Sequence, residues 1–359
     1  SGLCILPNIG QAASVGNVRK IESVGTQTQL HIQTDRGHLI QISILRDDMF
    51  RVWAGADGKL IGAGDKAAPI VLTTDFAKPE LSISEQRDYQ LIQTKAMALR
   101  VYRKPFRLAL YKADNRTQLW QELQPLDIGE KNSFQTLSSG ADEAFFGGGQ
   151  QNGNYAFKGK TLEVSYSGGW EENDRPSPAP FYMSSKGYGV LRNTWSNGNY
   201  DFRSNEFITS THNEKRFDAF YFVGDSIKDV LNGYTALTGR ARMLPRWAYE
   251  YGDADCYNDG DNVKKPGTFP KGWSDGPTGK TPDVITSVAA KYREHDMPGG
   301  WILPNDGYGC GYTDLEGGVK GLKKYGFRTG LWTENSVDKI KWEVGTAGTR
   351  AQKLDVAWT

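Results

Sequence analysis

The sequence is poor in the residues that build disulfide frameworks and metal sites. Three cysteines, Cys4, Cys256 and Cys310, occur in 359 residues, and none of them forms a CxxC pair. This spacing excludes a small disulfide-stapled fold. The four histidines are scattered along the chain, which argues against a zinc site. We therefore expect no metal and no cofactor.

The chain also lacks an excess of either charge and a long apolar run. Lysine and arginine number 43 against 42 aspartates and glutamates, so no nucleic-acid partner is expected. Mean hydropathy is −0.57, and no segment is apolar enough to predict a membrane partner. The first residues, "SGLCILPNIG", do not resemble a signal peptide, but a mature secreted chain would look the same. Location is open, and we favour a secreted or periplasmic one.

Glycine and aromatic residues are abundant, with 42 Gly, 10 Trp and 17 Tyr. Loops that carry aromatic side chains are typical of clefts for small polar ligands. A β-rich protein with a large core would have the same composition. Composition alone does not distinguish a ligand-binding cleft from a large β-rich core.

Residues 1–240 follow a β pattern. The segment "TQLHIQTDRGHLIQISILRDDMFRVWAG" alternates apolar and polar residues around a turn at Asp35-Arg36-Gly37, and later segments repeat the device. Short alternating strands at this spacing predict an N-terminal antiparallel β-sandwich over residues 1–240.

From about residue 225 the pattern changes to alternating helices and strands. Apolar residues at helical spacing predict a helix in "DSIKDVLNGYTALTG", with Asp225 as its N-cap. Strands are predicted at Trp247–Tyr251 and in "GGWIL", "FRTGLW" and "KLDVAW". Between them lie the predicted helices "TPDVITSVAAKYREH", "DLEGGVKGLKKYG" and "SVDKIKWEV". This order predicts a parallel sheet with helical crossovers over residues 241–359.

Acidic or amide side chains follow the first three of these predicted strands, and another lies within the fourth. They are Asp253 and Asp255, Asn305 and Asp306, Glu334 and Asn335, and Asp355 within the last strand. A single aspartate at a strand end is more often a cap or an ion-pair partner. Four in succession favour a site, because functional groups of (β/α) barrels gather at the carboxyl ends of the strands. Carboxylates without metal-binding histidines suit glycoside hydrolysis.

Two glycine-rich motifs need separate interpretation. Gly279-Lys280-Thr281 precedes a predicted helix but lacks the earlier glycine and the strand of a P-loop, so we reject a phosphate site there. The segment "FFGGGQQNGNYAFKGKT" is either a structural turn or a loop that faces a ligand.

Several segments together resemble glycoside hydrolase family 31. They are "PAPFYMSSKGYGVLRNTW", "FFGGGQQNG", the strand Tyr221–Gly224, the segment Tyr234–Arg240 and Pro245–Ala248. The likeness covers most of residues 145–359. It implies a retaining α-glycosidase with a β-sandwich followed by a (β/α)8 TIM barrel, whose first half lies in residues 241–359. The remainder of the barrel, with the general acid, is expected C-terminal to Thr359.

The resemblance also implies roles for individual residues. Asp355 falls where the family has its nucleophile, at the end of the fourth barrel strand. Asp306 falls where the family binds sugar hydroxyls in the innermost subsite. The other candidate substrate-binding residues are Asn305, Tyr308, Asp253, Asp255, Trp332 and Trp358. The thiols of Cys256 and Cys310 are expected near the same rim, and we favour free thiols over a disulfide.

The sequence defines the substrate and the functional class less closely than it defines the family resemblance. The segments "KLDVAWT" and "PNDGYG" depart from the common family pattern and resemble an outlying branch near dextranases, isomaltosyl-transferring enzymes and α-N-acetylgalactosaminidases. We favour an α-glucan such as dextran or isomalto-oligosaccharide. The alternatives are an α-N-acetylgalactosaminidase or α-galactosidase, a transglycosylase, and, from another class, a non-catalytic carbohydrate-binding protein.

Overall fold

The computed structural model describes residues 14–24, 28–62, 69–168, 171–254, 281–303 and 315–330. The chain forms two compact units, Ser1–Ala241 and Arg242–Thr359. Among the described residues, no helix has the length and apolar character needed to cross a membrane.

The first unit consists almost entirely of β-strands. In chain order they are β1 (Val18–Val24), β2 (Gln29–Thr34), β3 (Leu39–Arg46), β4 (Met49–Gly55), β5 (Ser82–Glu85), β6 (Tyr89–Gln93), β7 (Met97–Arg103), β8 (Phe106–Lys112), β9 (Gln118–Gln121), β10 (Asp127–Ile128), β11 (Ser133–Ser138), β12 (Phe145–Gln150), β13 (Thr161–Val164), β14 (Ser177–Ser184), β15 (Tyr188–Arg192), β16 (Gly198–Asp201), β17 (Phe207–His212) and β18 (Arg216–Val223).

These strands form three antiparallel sheets. The largest has eight strands in the order β1-β2-β3-β4-β18-β15-β14-β12. Two five-stranded sheets have the orders β10-β11-β17-β16-β13 and β5-β6-β7-β8-β9. One large core contains buried residues from all three sheets. The antiparallel sandwich predicted from the alternating pattern is therefore confirmed.

Strand β18 is buried on both faces of the eight-stranded sheet. All eight of its residues are buried. Phe217 and Tyr221 belong to the core between the sheets, whereas Phe220 and Phe222 belong to a second cluster on the opposite face. Because side chains alternate along a strand, a strand covered on both faces must be apolar or paired at every position.

Helix α1 (Ile227–Thr238) packs on that opposite face through Val230 and Leu237. Its N-cap is Ser226, so the prediction of Asp225 was wrong by one residue. Ser226 and Asp229 form a reciprocal capping box, which selects Ser226 over its neighbour. Asp225 instead pairs with Lys112 at 2.6 Å.

The second unit contains a parallel sheet. Strands β19 (Gly252–Ala254), β20 (Trp301–Leu303) and β21 (Arg328–Thr329) pair in chain order, and α2 (Thr281–Glu294) and α3 (Leu315–Lys324) connect them. The predicted alternation of strands and helices is observed in this part. A closed barrel stays a prediction.

The first predicted strand of this unit was misplaced. Residues Arg246–Tyr249 form a 3-10 helix, and the strand begins only at Gly252. Pro245 precedes the turn, and its carbonyl accepts a hydrogen bond from Ala248 N at 3.0 Å. The fixed φ of proline favours the start of a helical turn, which overrides the strand preference of the aromatic residues.

Candidate active site

Strand β19 lies directly against the side chain of Trp301. Gly252 and Trp301 are partners in neighbouring strands, and a Cβ on Gly252 would lie 1.9 Å from Cε2 of the indole. Any larger residue at position 252 would have to displace the ring. Trp301 therefore covers this end of β19 on one face of the sheet.

Asp253 lies on the other face, within the strand and not after it as predicted. Its strand partner Ile302 packs with Ala289 and Leu322 of the two helices. The phenol of Tyr292, on α2, donates a 2.5 Å hydrogen bond to Oδ2 of Asp253. Burial, and then this bond, raise the pKa of Tyr292 well above its usual value. The carboxylate thus joins the first strand to the helix that follows it, and a role in sugar binding stays a prediction.

Arg293 holds the segment that leads into β20. Its guanidinium donates hydrogen bonds to three carbonyl oxygens, those of Tyr325 at 2.7 Å, Met297 at 3.1 Å and Gly299 at 3.0 Å. The same group lies 4.0 Å from the ring centroid of Phe327. These contacts hold the segment that leads into β20 against the end of α3.

The remaining predicted site residues lie outside the described residues. They are Asp355, Asp306, Asn305, Tyr308, Asp255, Trp332 and Trp358. The three cysteines lie outside as well. Within the described ranges, no three His, Cys, Asp or Glu side chains are grouped so as to hold a metal ion.

The glycine run of β12 has a structural explanation. Gly147, Gly148 and Gly149 all have positive φ, and the pairing with β14 shifts register between Gly147 and Gly149. A Cβ on Gly149 would lie 2.2 Å from the carbonyl oxygen of Ser177. The run therefore forms a bulge at which β14 approaches too closely for side chains.

Two loops next to this bulge are joined by amide groups. We call residues 150–160, together with 165–168 and 171–175, the paired loops. Asn152 N donates to the carbonyl of Asp174 at 2.9 Å, and Asn173 N donates to the carbonyl of Asn152 at 3.0 Å. Asn154 Nδ2 donates to Asn173 Oδ1 at 3.1 Å. The sequence analysis did not single out Asn173, which has φ of 72°, although asparagine favours such turns.

Tyrosine side chains project from the paired loops. Tyr155 is 88% exposed and Tyr166 is 73% exposed. The described part of the paired loops therefore exposes two aromatic rings to solvent.

A comparison with known families finds a match within this sandwich. Residues 39–201 match the family model described as "Glycosyl hydrolase 31 N-terminal galactose mutarotase-like domain". Residues 39–201 thus resemble the N-terminal domain of glycosyl hydrolase family 31. The bulge and the paired loops lie within the matched residues.

Curated relatives of this chain include enzymes with different named activities. An α-xylosidase of Saccharolobus solfataricus is 31% identical over 176 residues, which are 48% of this chain and 21% of that protein. An isomaltosyltransferase of Sporosarcina globispora is 23% identical over 262 residues, which are 66% of this chain and 23% of that protein. The chain thus spans about 30% or less of the length of these curated relatives.

A solved family 31 structure has the same fold over most of the chain. The dextranase of Flavobacterium johnsoniae, complexed with isomaltotriose, superposes with a TM-score of 0.72 at 20% identity. The match covers 89% of this chain and 38% of the dextranase. At this identity the likeness shows the fold alone.

Proposed function

We propose that the chain belongs to a retaining α-glycosidase that acts on an oligo- or polysaccharide. In this proposal residues 241–359 form the first half of a (β/α)8 barrel, and Asp355 is the nucleophile. The parallel order of β19, β20 and β21 is the observation that carries it. Because parallel strands end at one edge, the segments that follow β20 and β21 begin at the same rim.

The predicted polar residues belong to those segments. Asn305 and Asp306 come directly after β20, which ends at Leu303, and Trp332 follows β21, which ends at Thr329. The same pattern assigns Asp355 to the end of a fourth strand. In this arrangement the polar side chains at the ends of four strands face one sugar.

In the first chemical step, a carboxylate oxygen of Asp355 attacks the anomeric carbon. The bond from that carbon to the leaving oxygen breaks, and a second carboxylic acid protonates the leaving oxygen. Water then attacks the covalent glycosyl-enzyme and releases the sugar with its original α configuration. Asp306 accepts hydrogen bonds from sugar hydroxyls, with Asn305, Tyr308 and Asp255 as further polar groups, and Trp332 and Trp358 provide ring faces.

The proposed substrate is an α-linked glucose residue, as in dextran or isomalto-oligosaccharides. Support comes from the similarity to an isomaltosyltransferase and from the shared fold with a dextranase. Similarity to an α-xylosidase makes xylose the matched competitor. The two sugars differ by the hydroxymethyl group on C5, and a pocket discriminates such a group by about 1–3 kcal/mol.

The test uses the complete enzyme and the nucleophile variant Asp355→Gly. Turnover of nitrophenyl α-glucoside should fall by about 10⁴-fold or more, because the covalent step is lost. Added azide should restore release of nitrophenol and give the β-glycosyl azide. Asp225→Asn, a change at an exposed residue on the sandwich, is the matched control and should keep full activity.

Near-normal turnover in Asp355→Gly would exclude this residue as the nucleophile. The unaltered enzyme should also be assayed with α-xyloside, α-galactoside, α-N-acetylgalactosaminide and dextran. Turnover of the acetamido substrate alone would replace the proposed sugar but leave the mechanism. Binding of dextran without turnover of any substrate would favour the non-catalytic carbohydrate-binding protein.

A further inference from the structure

One row of side chains crosses the parallel sheet on the side that the helices cover. Asp253 of β19 pairs with Ile302 of β20, and Ile302 pairs with Thr329 of β21. Partners in neighbouring strands present their side chains to the same face. Ile302 packs with Ala289 of α2 and Leu322 of α3, so this row faces the helices. Asp253 therefore places a carboxylate on a face that is normally apolar in a parallel sheet.

Asp253 is the side chain that β19 directs toward α2. The strand has three residues, of which Gly252 has no side chain and Ala254 alternates with Asp253 onto the other face. Oδ2 of Asp253 accepts the 2.5 Å hydrogen bond from the phenol of Tyr292. Within the described residues, β19 thus meets α2 through a hydrogen bond and not through an apolar side chain.

The ring of Tyr292 is itself held in place by other rings. It meets the ring of Phe327 edge-on, with centroids 5.7 Å apart, and that of Tyr251 at 6.4 Å. It also packs against the small core of this unit. A ring fixed on several sides carries its hydroxyl at a defined point, and a short hydrogen bond to a carboxylate is strongly directional. Tyr292 therefore defines where Asp253, and with it β19, lies against α2.

We propose that Tyr292 is a positioning residue, which aligns the end of β19 for sugar binding by holding Asp253, and that Asp253 itself does not contact the sugar. This inference rests on the proposed function. In a (β/α) barrel the helices form the outer ring, so a side chain on the helix face points away from the barrel interior. Asp255, a proposed substrate-binding residue, follows Ala254 directly in the sequence. A shift of β19 against α2 is passed on to Asp255, and a displacement of about 1 Å in a site can lower the rate about a hundredfold.

The test uses the complete enzyme with nitrophenyl α-glucoside as substrate. Tyr292→Phe and Asp253→Leu should each lower kcat/KM about tenfold or more, with a fall in kcat. The double change should lower it no further, because both changes remove the same hydrogen bond. Asp253→Asn keeps a carbonyl acceptor for the phenol and should recover most of the loss seen in Asp253→Leu. Tyr325→Phe removes a hydroxyl from another tyrosine packed against the same core, and as the matched control it should keep kcat and KM.

A direct sugar contact by Asp253 gives the opposite order. Asp253→Asn would then lose activity while Tyr292→Phe would keep it, and this result would overturn the proposal. A lower unfolding temperature in Tyr292→Phe with unchanged kcat and KM would also overturn it, since the hydrogen bond would then serve stability alone. If Asp253→Leu does not fold, Tyr292→Phe and Asp253→Asn decide between the two roles. Failure of the proposed function appears elsewhere, as near-normal turnover in Asp355→Gly.

Discussion

Among the residues that the structure describes, the buried cores of the two units differ in size. The sandwich has strands of up to eight residues and a core to which three sheets contribute. The described strands of the second unit have two or three residues, and their fully buried core consists of Ala289, Ile302, Leu322 and Phe327. In a core of four residues, each contact contributes a large share of the buried area.

The difference extends to polar groups. In the sandwich, the buried carboxylate of Asp218 receives two 2.7 Å hydrogen bonds from Arg51 and one of 2.8 Å from Asn193. In the second unit, Asp253 is held by the phenol of Tyr292. The buried carboxylate of the sandwich is thus bonded by side chains of neighbouring strands and loops, and that of the second unit by a side chain of the following helix. Three changes test this contrast.

The largest effect is expected from Asp218→Ala. This change leaves Arg51 and Arg216 without the carboxylate that both contact. Removing one partner of a buried ion pair costs about 3–5 kcal/mol of unfolding free energy. Urea unfolding measures the loss. Asp225→Ala removes a carboxylate from an exposed pair with Lys112 and should change stability little. Equal effects of the two changes would contradict the contrast between buried and exposed ions.

An intermediate effect is expected from Gly252→Ala in the second unit. The new methyl group would overlap the indole of Trp301, so ring and strand must shift, at about 1–3 kcal/mol. Thermal unfolding and activity of the complete enzyme measure the change. A second substitution, Trp301→Leu, removes the overlap and should recover part of the loss. Gly62→Ala, where the Cβ meets no atom within 4 Å, is the neutral control.

The smallest effect is expected at the start of α1. Ser226→Ala removes the capping hydroxyl, which should lower the unfolding free energy by about 1 kcal/mol. Ser226→Thr keeps a hydroxyl that can both donate to Asp229 Oδ2 and accept from Asp229 N, and should keep the stability. If Asp225→Ala were instead the more harmful change, the cap would lie where the sequence pattern predicted it.

The sequence predicted the features that depend on local periodicity. Long alternating strands identified the sandwich, and helical spacing identified α1, α2 and α3. The cap was missed by one residue because Asp225 and Ser226 are both good capping types. Only the position of Asp229, three residues after Ser226, distinguishes them. The 3-10 helix was missed because aromatic residues suit strands, although Pro245 was visible ahead of it.

Features set by distant partners could not be predicted in this way. The approach of Ser177 to Gly149 explains the glycine run, but nothing near residue 149 indicates it. Likewise the bond between Tyr292 and Asp253 joins residues 39 positions apart. Contacts of this kind cannot be read from local pattern, so the gathering of the predicted residues at the rim stays a prediction.

The pairing of β4 with β18 has a consequence for the synthesis of the protein. Arg51 and its partner Asp218 are separated by 167 positions in the chain. At about 5–20 residues per second, a ribosome needs roughly 8 to 33 seconds to make the intervening segment. During that interval β4 has its free edge open to other chains. A lower growth temperature, or a chaperone that covers this edge, should therefore raise the yield of soluble protein.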